Sequence, residues 1–330
     1  MTQLVTIFGG SGFVGRYIAR RMAKAGWRVR VAVRRPNQAL HVRPYGAVGQ
    51  VEPVFCNIRD DASVRAVMQG ADAVVNCVGI LGEYGRNRFD AVQAEGAGRV
   101  ARIAAELQVA RLVHISAIGA DAQSDSQYQR SKAEGEAQVI QHFPDAVILR
   151  PSIIFGVEDQ FFNRFAAMTR FSPFLPVVGA DTRFQPVFVD DVAKAAETAL
   201  TSDIAPGVYE LGGPDSATFR DLMQAMLAEI RRNRIIVNVP FFVGRMMGAV
   251  LDFAQIASLG LFRNTVLTRD QVRSLQRDNL VDDAAQGLDA LGITPTPMDA
   301  ILPSYLWVHR PGGQYKAIHE SASRLRKSGH

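Results

Sequence analysis

Short apolar runs alternate with amphipathic segments through the first half of the chain. Together they read as strand–helix–strand units of a parallel sheet covered by helices. The predicted strands span residues 4–8, 29–33, 51–56, 73–78, 112–116 and 147–149, rich in Val and Ile with little polar alternation. That is the pattern of strands buried on both faces. Between the first two, Val14, Tyr17, Ile18, Arg21 and Met22 recur at helical spacing over residues 13–25. Gly26 stands where such a helix is expected to end. After Pro151 the alternation fades, turns rich in Pro and Gly appear at 172–176, 205–207 and 212–214, and a helical run covers 219–232. The expectation is an α/β Rossmann fold, a doubly wound parallel sheet, with a smaller, mainly helical C-terminal lobe over the carboxyl edge of the sheet. Residues 1–150 are read as the Rossmann domain, 151–306 as the smaller lobe with some return to the sheet, and 307–330 as a basic tail.

The reading of a dinucleotide domain rests on Gly9-Gly10-Ser11-Gly12-Phe13-Val14-Gly15, directly after the first strand and at the start of the first helix. In the G-x-x-G-x-x-G spacing, Gly9 permits a tight turn and Gly12 lets backbone N–H groups approach a pyrophosphate. Gly15 allows helix and strand to pack closely, and the helix N-terminus supplies positive potential. A glycine-rich turn by itself is also compatible with a structural role; the strand before it and the helix after it favour binding. An NAD-binding chain usually carries Asp or Glu at the end of the second strand to hold the ribose 2′-hydroxyl. Here that place reads Ala32-Val33-Arg34-Arg35-Pro36, without an acid. Arginine forks pair with a 2′-phosphate, so NADP(H) is the expected cofactor; two solvated arginines at a strand end are the plainer alternative. Asn57 after the third strand and Val78 after the fourth fall where adenine and ribose would lie.

A second constellation is Ser116 at the end of the fifth strand with Tyr128 and Lys132 in Tyr128-Gln129-Arg130-Ser131-Lys132. Residues four apart share a helix face, so Tyr128 and Lys132 are expected in one cleft. A phenol works as a proton donor and acceptor near neutral pH only if a cation stabilises its phenolate, the role Lys132 would take, with Ser116 holding a carbonyl oxygen. Y-x-x-x-K alone is a weak signal, often no more than an exposed helix face.

Charge and cysteine change the picture little. The hydrophobic fraction is 48% and the charged fraction 21%, an ordinary globular profile. Of the net charge of +5, four sit between Arg310 and His330, where five basic residues meet only Glu320. Cys56 and Cys77 lie in apolar runs and read as core thiols, not as a disulfide or metal site. The start shows no leader-like segment, which points to a reducing, intracellular compartment. The stretch from Phe241 to Phe262 comes near a membrane span in length, but Arg245, Asp252 and three glycines interrupt it. It reads as the core helix of the small lobe or as an interfacial helix, and composition favours the core.

Taken together, these motifs resemble the short-chain dehydrogenase/reductase superfamily in its extended or atypical branch. The resemblance sharpens in Val78-Gly79-Ile80-Leu81, in the run from Leu149 to Gly156 (LRPSIIFG), in Asp159 to Phe165 (DQFFNRF), in Phe184 to Ala193 (FQPVFVDDVA) and in Tyr209 to Pro214 (YELGGP). These segments are similar to the nucleotide-binding accessory subunits of respiratory complex I (NADH:ubiquinone oxidoreductase), the alpha-subcomplex subunit 9 family with its bacterial relatives, as far as about Leu306. The resemblance implies NADP(H) held as a structural cofactor near the quinone-binding region. Gly9, Ser11, Gly12, Phe13, Gly15, Arg34, Arg35, Asn57, Val78, Ser116, Tyr128, Lys132, Pro151, Ser152, Ile153 and Ile154 fall at its cofactor-contact positions. It further implies other complex I subunits as partners, the membrane surface met through Phe241 to Phe262 and the basic tail, and no nucleic acid. The place would be the cytoplasmic face of a bacterial inner membrane, or the matrix side in a mitochondrion. One departure is Val92-Gln93-Ala94-Glu95-Gly96-Ala97, where many catalytic extended relatives carry V-N-x-x-G-T, which weakens a proton relay like theirs. Two other readings stay open: a soluble NADPH-dependent reductase or epimerase using Ser116, Tyr128 and Lys132, and a protein of quinone biosynthesis.

Overall fold

Seven strands line up in parallel in a computed structural model that describes residues 2–258, 264, 267–313 and 315. In chain order the first six are β1 (Leu4–Phe8), β2 (Arg28–Val33), β3 (Val51–Phe55), β4 (Ala73–Asn76), β5 (Arg111–Ile115) and β6 (Val147–Pro151). Two short strands, β7 (Ile154–Phe155) and β8 (Phe174–Val178), and two more, β9 (Arg183–Phe184) and β10 (Val187–Phe188), lead to β11 (Gly207–Leu211). β11 returns to the main sheet beside β6, giving the spatial order β11-β6-β5-β4-β1-β2-β3. The strand order reverses between β1 and β4, the switch point at which doubly wound sheets open a crevice for ligand. All five residues of β1 are buried, four of them apolar, and the fifth, Thr6, donates its hydroxyl to Val67 O at 3.0 Å.

Helices cover both faces. α1 (Phe13–Lys24) is followed by α2 (Asp61–Met68), α3 (Glu95–Glu106), α4 (Gln127–His142), α5 (Phe162–Met168) and α6 (Val189–Thr201). α1 and α6 bury Ile18, Met22, Val192 and Leu200 against Val5, Ile7, Val31 and Leu149 on one face. On the other, α2 and α3 bury Val64, Met68, Val100 and Ile103 against Phe8, Val74, Leu112 and Ile148. Caps fix two entries: Asp60 accepts from the Ser63 amide at α2, and Ser126 accepts from the Gln129 amide at α4. At Gly26, φ of +86° makes the left-handed turn that ends the first helical unit.

A third core gathers Phe155, Phe162, Leu175, Phe184, Phe219, Met223, Met226 and Leu306. It holds β12 (Ala217–Thr218), α7 (Phe219–Glu229), β13 (Ile235–Val239), α8 (Phe241–Ala257), α9 (Arg269–Ser274) and α10 (Met298–Leu306) around short two-stranded ribbons. One of these ribbons, β8 with β13, places a strand at 174–178 where Pro and Gly had suggested only a turn. α6 and β11, both after Pro151, belong to the main sheet layers. The alternation was lost there because ribbons and turns stand between α6, β11 and the earlier strands.

Candidate active site

The carboxyl ends of β1, β2, β4, β5 and β6 face one crevice. At β1, Gly9 adopts φ of +74° and its amide donates to Ala32 O at 3.0 Å, tying the turn to β2. A Cβ on Gly15 would stand 2.5 Å from Gly9 O and 2.7 Å from Gly10 Cα, so this glycine is demanded by the fold. Gly12 is different. It is exposed, and a Cβ there would meet only Gly9 O, at 3.1 Å. No side chain caps α1 and no acid occupies its first turn, so its N-terminal positive potential is directed into the crevice. Ser11 lies half-buried with its carbonyl held by Arg16, and Phe13 stands edge-on to Tyr17. Val78 closes the opposite wall: its Cγ2 lies 3.3 Å from where a Gly9 Cβ would be.

Arg34 and Arg35 are exposed at the end of β2, and Arg34 donates to Asn87 Oδ1 at 3.1 Å. Asn57 spends its side chain locally, accepting from the Arg59 amide at 3.2 Å in the turn before α2. Among Pro151, Ser152, Ile153 and Ile154, Ser152 is turned to the small lobe, donating to Asn279 Oδ1 at 2.7 Å. Pro151 is buried, and Ile153 and Ile154 are half-buried beside the crevice, Ile154 pairing with Val187.

Tyr128, Lys132 and Glu136 recur every four residues on α4. Lys132 is buried and donates from Nζ to Ile115 O at 3.1 Å. Burial lowers its ammonium to about 8, partly offset by Glu136 and Cys77. Burial raises the Tyr128 phenol to about 12. The Ser116 side chain is engaged within the protein. Its hydroxyl donates to Glu136 Oε1, and Arg150 grips the same carboxylate through Nε at 2.9 Å and Nη2 at 2.6 Å. Arg150 in turn reaches Glu210 at 3.3 Å. Three side chains tie Ser116 into a buried ionic cluster behind the crevice.

The first 5–212 residues of this arrangement match the family model described as NAD dependent epimerase/dehydratase. The chain belongs to the NAD dependent epimerase/dehydratase family. It also falls among the complex I subunit 9 proteins: it is 34% identical over 316 residues to the mitochondrial NADH dehydrogenase [ubiquinone] 1 alpha subcomplex subunit 9 of Arabidopsis thaliana, covering 94% of this chain and 79% of that one. A ceramide reductase of Caulobacter vibrioides is 31% identical over 251 residues, covering 76% and 77%. Among solved structures, gox2253 superposes with a TM-score of 0.70 at 19% identity, over 92% of this chain and 97% of the other, a likeness of fold.

The residues present fit a dinucleotide of this family. The crevice offers an uncapped helix N-terminus and a glycine with open space before it, and it holds one buried acceptor without a partner. That acceptor is Gln93 Oε1, for which no hydrogen bond exists among the described residues. It and Lys132 Nζ each lie 3.6 Å from the point where a Gly79 Cβ would sit, so the two converge beside Gly79. Gln93 belongs to a single π-turn, Asp90–Ala94, a local irregularity common at binding sites. Gly135 makes room for it, since a Cβ there would be 2.4 Å from Gln93 O.

Several members of the site carried no sequence signal by themselves. Asp270, on α9, accepts from Ser126 Oγ at 2.8 Å and from the amides of Gln127 and Tyr128 at 2.7 and 3.1 Å. The small lobe thereby holds the start of the helix that carries Tyr128. Glu136 was within reach of the four-residue spacing that paired Tyr128 with Lys132. Asp270, Arg150, Glu210 and Asn279 were not, being joined only by the fold.

Proposed function

We propose that the chain is an NADP(H)-binding accessory subunit of respiratory complex I that holds its cofactor structurally, near the quinone-binding region at the membrane surface. The observation that carries this reading is a contrast within one crevice. The glycine cradle is open for a dinucleotide, while the Ser116 hydroxyl is bound to Glu136 and Lys132 Nζ donates to Ile115 O. Gly9, Ser11, Gly12, Phe13 and Gly15 would hold the pyrophosphate, Arg34 and Arg35 a 2′-phosphate, and Val78, Tyr128 and Lys132 the nicotinamide end. When bound, such a group supplies a hydride couple. The chain's own residues bind it, orient it and shield it from water. Binding to the folded state alone stabilises that state by mass action.

Its partners are then other complex I subunits, at the cytoplasmic face of a bacterial inner membrane or on the matrix side in a mitochondrion. No helix among the described residues is long and apolar enough to cross a membrane. α8 instead exposes Phe242, Met246, Val250 and Phe253 along one side, which favours the interfacial reading of that stretch over a core helix. Its continuation to Phe262, and the basic tail beyond Gly313 apart from Tyr315, lie outside the described residues. The test is isolation of complex I from the native membrane and mass analysis of its subunits; absence of this chain from the intact complex would overturn the proposal.

Cofactor choice is tested separately. Purified protein should retain NADP(H) over NAD(H), and Arg34→Ala with Arg35→Ala should erase the preference, each lost charge-assisted bond costing roughly 1.5–3 kcal/mol. Competition binding of the two dinucleotides to parent and variant measures it, and equal affinities in the parent would sink the assignment.

Holding and turnover separate at α4. Tyr128→Phe removes the proton that carbonyl reduction needs and should leave cofactor content, assembly and quinone reduction by the complex unchanged. Lys132→Ala should lower cofactor content. The Caulobacter relative named a ceramide reductase gives the enzyme reading its weight. An NADPH-dependent activity present in the parent and lost in Tyr128→Phe would make that reading the better one.

A further inference from the structure

Away from the dinucleotide crevice, α7 and β13 enclose an open cavity of about 490 Å³ whose lining includes Arg220, Arg231, Arg232, Asn233 and Arg234. Arg170 adds a fifth guanidinium close enough to act on Arg232. Among the described residues none of the five forms an ion pair. The two acids of α7 are already engaged: Glu229 is taken by Arg310, and Asp221 closes the cap of α7 with Thr218. Arg232 and Arg234 are held in place through one side of their forks, Nε to His309 O at 3.1 Å and Nε to Thr169 O at 2.9 Å. A guanidinium carries five N–H donors, so each keeps others to offer. His309, beside them, is held below its usual range by burial, with smaller contributions from Arg170 and Arg232 that Asp159 opposes.

Next to the arginines along the chain, the outer face of the β8–β13 ribbon is apolar. Ile235 follows Arg234 directly and pairs with Phe174 across the β8–β13 ribbon. Phe171, Phe174, Ile235 and Val237 are 89%, 53%, 62% and 40% exposed. Side chains of this size left in water beside unpaired arginines are poorly accounted for in a protein that faces only solvent. We propose that this cavity is a binding site for the phosphate headgroup of anionic phospholipid, with Phe171, Phe174, Ile235 and Val237 entering the interfacial layer beside it. The charge complementarity of planar guanidinium forks to phosphate argues for the headgroup, and the exposed apolar ribbon face next to it in the chain argues for lipid over a soluble phosphate. The site is a second membrane contact, distinct from α8, and it deepens the reading above, on which it rests, that the chain works against a membrane.

Flotation of the isolated full chain with vesicles tests it without requiring complex I. Vesicles of phosphatidylcholine mixed with phosphatidylglycerol should bind the protein, vesicles of phosphatidylcholine alone should bind it weakly, and added salt should release it. Arg220→Gln with Arg231→Asn should weaken binding to the anionic vesicles roughly thirtyfold, about fivefold for each arginine. Asn suits position 231 because φ there is +53°, a left-handed value that Asn tolerates. Phe171→Ser, at a freely exposed position, should weaken binding without altering the fold. Equal binding of parent and double variant would overturn the proposal. So would stabilisation of the parent by inorganic phosphate, or binding of duplex DNA, without vesicle binding. Vesicle binding by a chain absent from complex I would leave this site standing and remove the subunit reading instead.

Discussion

Gly12→Val should abolish retention of the dinucleotide while leaving the fold almost as stable as before, and Gly15→Ala should damage the fold itself. The two glycines lie three residues apart in one motif, yet the structure gives them different duties. Gly12 has an extended backbone, φ −73° and ψ −177°, that any residue adopts. A side chain there projects into the space reserved for the pyrophosphate. Losing that approach removes charge-assisted bonds worth roughly 1.5–3 kcal/mol each, so affinity should fall on the order of a hundredfold or more. At Gly15 the obstacle is backbone: Gly9 O at 2.5 Å and Gly10 Cα at 2.7 Å from an added methyl group. Neither can rotate aside, so α1 must shift from β1, at a cost of about 1–3 kcal/mol or more. Cofactor released on denaturation, measured beside the urea midpoint of each variant, separates the two effects. Normal cofactor content in Gly12→Val would show that the turn does not cradle a dinucleotide.

The motif was legible because its demands are local. A tight turn, a close helix and an uncapped N-terminus all act within seven residues, and the period of the buried strands announced the sheet around them. Strand ends were displaced by one or two residues, as at β4, where Asn76 ends the strand and turns its side chain back to the Val78 amide. The small lobe was less legible. Its core is assembled from Phe155, Phe184, Phe219 and Leu306, far apart in the chain and without a shared period. The hydrogen bonds of the candidate catalytic residues were hidden from the sequence for a related reason. Spacing put Tyr128 and Lys132 on one face of α4, and both are there. Spacing could not tell that Lys132 turns to Ile115 O, or that Ser116 meets a carboxylate twenty residues away on the same helix. Asp270 joins Tyr128's amide across 142 residues, a contact that only the closed fold creates.

The buried cluster behind the crevice gives the largest expected loss of stability. Glu136 is 4% exposed and receives Ser116 and both arms of the Arg150 fork. The hydrogen bonds that Arg150 donates to Glu136 raise its guanidinium above its ordinary value, against the opposing effect of burial. Glu136→Ala leaves Arg150 half-buried with only Glu210 at 3.3 Å. Breaking a buried pair from one side costs roughly 3–5 kcal/mol, and the remaining Glu210 contact places this case at the lower end. Replacing both partners with Met should recover much of the loss, because no uncompensated charge then remains. Ser116→Ala should cost only about 1 kcal/mol, the ordinary worth of one hydrogen bond. Urea denaturation of the three variants and the parent gives these differences directly. The comparison also bears on function. If Ser116 serves the cluster and not a substrate, Ser116→Ala keeps its bound dinucleotide and its place in complex I. A Ser116→Ala protein of normal stability that has lost its cofactor or an NADPH-dependent activity would return the serine to the crevice, and the cluster behind it would then be a device for aiming a catalytic hydroxyl.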